Sequence, residues 1–168
     1  IISRGLQADW LAVYFEPATL RAIWFTIWQA ALSTALALLV GIPSAYVLYR
    51  KRFFGQRFAR ALITVPLVLP TIVVAIVFSS FRAEHEIYEA IGLSFFFENS
   101  IYWIIAAHVF VNYSLVVRIV GGVWVNLDNE TEEAASISGA GRFKTALAIS
   151  LPQLKTAVVS AAALTFLF

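Results

Sequence analysis

Four apolar stretches separated by polar links organise this chain of 168 residues. The first covers 20–49 and carries no charge from Ala22 to Tyr49. The second covers 61–81, the third 101–117, and the fourth runs from 156 to Phe168. Links of mixed or charged composition occupy 50–60, 82–100 and 118–155. A helix needs about 20 mostly apolar residues to cross a hydrocarbon core of roughly 30 Å. Lipid offers no partner to backbone polar groups, so a spanning segment has to satisfy its own. The pattern predicts an all-α fold, a polytopic transmembrane helical bundle with about four spans. The fourth span is truncated at thirteen residues.

The charge-free part of the first stretch would extend roughly 42 Å as a helix. Tilting, or a break near Gly41 and Pro43, absorbs the excess. Pro66 and Pro70 fall inside the second stretch, where a bundle tolerates them if neighbours satisfy the freed carbonyls. Ser33, Ala37, Gly41 and Ala45 recur every fourth residue. Such a stripe of small side chains lets another helix approach closely, and alanine-rich spans also produce stripes by chance.

Composition sharpens the membrane reading. Apolar residues make up 61% of the chain and charged ones 13%, against about half and a quarter in soluble domains. Cysteine is absent, which removes disulfides, thiolate metal sites and cysteine nucleophiles. A net charge of +2 gives no reason to expect nucleic acid. The chain starts without Met and stops within an apolar run, so it reads as a single membrane domain cut from a longer polypeptide.

Basic residues set the orientation. The 50–60 link holds Arg50, Lys51, Arg52, Arg57 and Arg60 and no acid. The 82–100 link sets Arg82 against Glu84, Glu86, Glu89 and Glu98. The 118–155 link adds Arg118, Arg142, Lys144 and Lys155. The positive-inside bias places the first and third links in the cytoplasm. Residues 1–21 then lie outside, preceded by an earlier span or a signal. The outer acids fit a solvated loop better than a cation site. Ile87, Tyr88, Ile91 and Leu93 fit a short interfacial helix there.

His108 and Asn112 lie four apart inside the third stretch, with Tyr113 adjacent. Polar groups in a span usually face protein or a water-filled path. A pathway lining and a hydrogen-bonded helix contact both satisfy that rule, and two residues are too few for a metal site. Arg118 reads as an interfacial anchor or part of an inner gate. No cluster of catalytic side chains is evident. Gly139-Ala-Gly141-Arg-Phe143-Lys144-Thr145 fails as a phosphate loop, because Phe143 stands where glycine must precede the lysine.

The 118–155 link contains two short helical patterns. Asn129 followed by Glu132 and Glu133 fits a helix start, and Gly139 or Gly141 fits its end. A second helix is expected from Arg142 to Ser150, with Pro152 closing the unit. On local physics alone this helix-turn-helix is a connector or a docking element.

Glu133-Ala134-Ala135, three residues, Gly139, nine residues, Ile149, one residue, Leu151-Pro152 resembles the EAA loop of binding-protein-dependent ABC importer permeases. The Gly41-Ile-Pro43 and Pro66-Leu-Val-Leu-Pro70 segments resemble the same family, and the likeness covers about 20–168. It implies the type I ABC importer permease kind of bundle, with the loop as a cytoplasmic coupling unit on an ABC ATPase dimer. Glu133 would contact the ATPase, Ala134 and Ala135 would permit close docking, and Gly139 would make the turn. Ile149, Leu151 and Pro152 would anchor the second helix to the spans. The resemblance further implies a periplasmic or lipid-anchored substrate-binding protein and a second permease half, fused or separate. The chain would be a multi-pass protein of the bacterial inner membrane and not an enzyme. It would hold no cofactor of its own, with ATP used by the partner. Residues 107–118 are most similar to thiamine and ferric-iron permeases, which implies one of those substrates. Sulfate, molybdate or polyamine importers are the alternative, ahead of a structural membrane anchor or a channel.

Overall fold

A computed structural model describes residues 16–81, 100–127, 135, 137–139, 141 and 145–168, without the side chains of 81, 100, 146 and 147. The outer loop with Glu84, Glu86 and Glu89, the residues 1–15 and the expected helix start at Asn129 lie outside the described residues. Six α-helices and one π-helical turn make up the described chain: α1 (Pro17–Arg50), α2 (Gln56–Val68), α3 (Thr71–Phe81), α4 (Ser100–Val125), a π-turn (Ala146–Ser150), α5 (Leu151–Gln153) and α6 (Lys155–Leu167).

Helix α1 opens with Pro17 at its first position, where a missing N–H costs nothing. It then runs 34 residues without interruption through Pro43. The break expected near Gly41 and Pro43 is absent, and Gly41 instead lies in close contact with α4. A Cβ added at Gly41 would lie 2.6 Å from Val116 Cγ1, so a side chain there would push the helices apart. Ser33, Ala37, Gly41 and Ala45 are all buried, and the four-residue stripe is the packing face of α1.

The opposing face of α4 supplies Val116, Val117, Val120 and Trp124 to the core. A Cβ at Gly121 would run into the Tyr49 ring, so glycine is required there as well. Gln29 meets His108, Gly41 meets Val116, and Arg50 Nη1 donates to the Leu127 carbonyl at 3.4 Å. Position rises together along both helices, so α1 and α4 are parallel and end on the same side. Helix α6 closes a three-helix core with Leu154, Ala157, Ala161 and Thr165 buried.

Two expected spans differ in form. The second is not one rod: α2 and α3 meet at 95°. Leu69 precedes Pro70, whose ring excludes the helical conformation for its neighbour, and Leu69 is extended at φ −68°, ψ 135°. The third span does not end at 117. Helix α4 continues to Val125, through Gly121 and Gly122, and leaves Arg118 exposed within the helix. The link expected from 118 therefore starts about two turns later, after Asn126 Nδ2 caps the Gly122 carbonyl at 2.9 Å.

The basic link folds back on the end of α1. Gly55 turns the chain at φ 80°, and Gln56 Nε2 donates to the Leu48 and Lys51 carbonyls at 2.6 and 2.7 Å. Arg60 Nε reaches the Leu48 carbonyl at 2.8 Å while its guanidinium lies 4.3 Å from the Tyr49 ring centre.

Candidate functional site

Two regions carry the candidate residues. The first lies where α3 leaves the core. Phe78 of α3 packs between Trp103 and Phe110 of α4, with ring centres 6.3 and 5.7 Å away. The rings hold the backbones apart and leave a cavity of about 270 Å³. His108 and Asn112 both line it, with Thr71, Ala75 and Ser79 on the α3 side. One helical turn separates His108 from Asn112, so α4 presents both to the same space. Tyr113 faces elsewhere and packs against the α1–α4–α6 core. It does not line this cavity with the other two.

His108 is also bonded across the bundle. Its Nδ1 lies 2.6 Å from Gln29 Nε2 of α1. The ring thus lines a cavity on one side and makes a helix contact on the other. Gln29, 79 positions away from His108, is the site residue that sequence reasoning missed. Its signal was a buried carboxamide in a charge-free span.

The second region is the segment ahead of α6. Glu133 and Ala134 lie outside the described residues. Ala135 is helical and half-buried, and Ile137 projects fully into the open. Gly139 turns at φ 80°, the left-handed region that glycine enters without a Cβ penalty. Thr145 Oγ1 donates to the Gly141 carbonyl at 3.2 Å, and Thr145 and Ser150 are buried. The anchoring expected of Ile149, Leu151 and Pro152 falls largely to another residue. Leu151 and Pro152 are exposed and Ile149 is half-buried, whereas Leu154 is fully buried in the core. Leu154 sits at the junction of α5 and α6, so it fixes the segment to the bundle.

Comparison with known proteins decides the family. The model of the binding-protein-dependent transport system inner membrane component matches residues 37–168. The chain belongs to this family. The chain is 30% identical over 168 residues to the probable sulfate transport system permease protein cysT of Chlorokybus atmophyticus, covering 98% of this chain and 58% of the relative. It is 32% identical over 155 residues to the molybdate/tungstate transport system permease protein WtpB of Thermococcus kodakarensis, covering 90% and 57%. The sulfate transport system permease protein CysT of Escherichia coli K12 is 30% identical over 172 residues, covering 99% and 62%. The chain spans about three fifths of the length of these relatives. As a member of this permease family it is an integral inner-membrane component with apolar helices able to cross the bilayer. The ferric-iron or thiamine likeness read from 107–118 finds no counterpart in these relatives, whose names give sulfate and molybdate/tungstate.

Proposed function

We propose that the full-length protein is the permease of an ABC importer for a tetrahedral oxyanion, sulfate or molybdate/tungstate. The observation that carries this reading is the near-complete alignment of the chain with permeases named for those anions, at about 30% identity. The cavity beside α4 is mostly apolar, with His108 and Asn112 among its few polar groups and no charged side chain on its described lining. The chain forms part of the translocation pathway, with His108 and Asn112 on its lining. It performs no covalent chemistry.

Work enters through the segment 128–152, which docks on an ABC ATPase dimer. Glu133 makes the polar contact, Ala134 and Ala135 admit the docked surface, and Gly139 reverses the chain. Movement of the docked segment passes through Leu154 into α6 and the core. Rigid packing there converts it into rocking of the spans between two states. A substrate-binding protein delivers the anion on the opposite side, and a second permease half completes the pathway.

The test is ATP hydrolysis in proteoliposomes holding the full-length permease, its ATPase and its binding protein. Sulfate or molybdate is expected to stimulate turnover, and thiamine or ferric iron is not. Gly139→Pro fixes φ near −65° where +80° is needed, and should abolish stimulation while membrane insertion persists. Stimulation by thiamine or iron alone would overturn the substrate, and unaltered stimulation in Gly139→Pro would overturn the coupling role.

A further inference from the structure

We propose that His108 and Asn112 form a charge-neutral oxyanion-binding step inside the membrane, and that Gln29 positions the imidazole so that it donates. The proposal rests on the oxyanion reading above and adds the site and its donors.

Gln29 Nε2 is an amide nitrogen, which carries hydrogens and no free lone pair. With Gln29 Nε2 placed 2.6 Å from His108 Nδ1, the amide N–H is taken as donor and Nδ1 as acceptor, which puts the ring hydrogen on Nε2. The Nδ1 edge is turned to α1, and the ring lines the cavity. The edge left for the cavity is therefore Nε2–H. One turn on, Asn112 is only 5% exposed, lines the same cavity and makes no side-chain hydrogen bond to a described residue. Its carboxamide keeps some access to the cavity, so its N–H groups can meet an occupant.

No Lys, Arg, Asp or Glu lines this space among the described residues. Its ligand is recognised by neutral N–H donors alone. An oxyanion presents acceptors on every side and matches that set. A metal cation does not, because the Nδ1 lone pair is already engaged and Nε2 carries a hydrogen. The cavity of about 270 Å³ equals about nine water volumes of roughly 30 Å³ each, enough for one such ion with residual water. Neutral donors also suit passage. A fixed cation in low dielectric would hold the anion far more strongly, whereas conduction needs binding weak enough to release.

The test is uptake of labelled sulfate and molybdate by proteoliposomes containing the full-length permease with its ATPase and binding protein. Asn112→Leu keeps the size and removes the donors, and is expected to lower uptake about tenfold, the scale of one hydrogen bond to a charged group. Gln29→Glu presents an acceptor to the ring and moves its hydrogen to Nδ1, which turns a lone pair toward the cavity. Uptake should again fall about tenfold, and the ¹⁵N spectrum of His108 should change from the Nε2–H to the Nδ1–H form. Wild-type protein that imports neither anion would overturn the oxyanion reading and the site together. Import by the wild type with full uptake in both variants would overturn the site alone. A wild-type spectrum showing Nδ1–H would do the same, and it needs no variant to fold.

Discussion

Helix α4 has two very different neighbours. Along α1 it is packed to the limit, with Gly41 under Val116 and Gly121 under the Tyr49 ring. Along α3 it is held off by Phe78, Trp103 and Phe110, and the gap contains the cavity with His108 and Asn112. Lipid supplies no hydrophobic drive for helix association, so close van der Waals contact is what holds a pair together. The α1–α4 seam therefore acts as a rigid spine. The α3–α4 contact has less surface matched and leaves the cavity open between the helices.

Three substitutions probe that contrast. Gly121→Leu drives a side chain into Tyr49 and should cost about 1–3 kcal/mol or more, as overpacked cores do. The permease complex should then be lost on mild heating in detergent, which gel filtration reads directly. Ala75→Leu fills space on the cavity side, where Ala75 is otherwise exposed. It should leave assembly unchanged within about 0.5 kcal/mol yet reduce anion uptake several-fold. The smallest effect is expected from Thr165→Val. Thr165 Oγ1 is buried without a hydrogen-bond partner, so the change should be neutral or stabilise by up to about 1 kcal/mol. A destabilised Thr165→Val would show that the hydroxyl has a partner from the rest of the complex.

The seam was legible from the sequence as one of two readings, because small residues at four-residue spacing allow a close helix contact although alanine-rich spans also produce them by chance. Its partner face was not, since Gly121 looks like a helix breaker until Tyr49 is placed against it. Pro66 and Pro70 were visible as irregularities, but the 95° angle depends on how Leu69 is forced out of the helical region. His108 and Asn112 could be paired by periodicity within one helix. Gln29 could not, because its partner lies 79 positions away and no local rule links two spans at that distance. Leu154 was hidden among many other apolar residues, and only burial distinguishes it. The short likeness over 107–118 did not carry a substrate class, and the relatives matched over nearly the whole chain are named for sulfate and molybdate/tungstate.

The bend between α2 and α3 also constrains how the protein is made. With 13 and 11 residues, the two arms reach only about 20 and 17 Å, and neither crosses the hydrocarbon core by itself. A translocation channel that tests segments one at a time would find no adequate stop in either arm. Both have to be admitted as a pair and then find shelter against a later helix, since α4 packs on each of them. Biogenesis of this segment must therefore wait until α4 emerges. A ribosome stalled before residue 100 would leave the bent hairpin without a settled place in the bilayer.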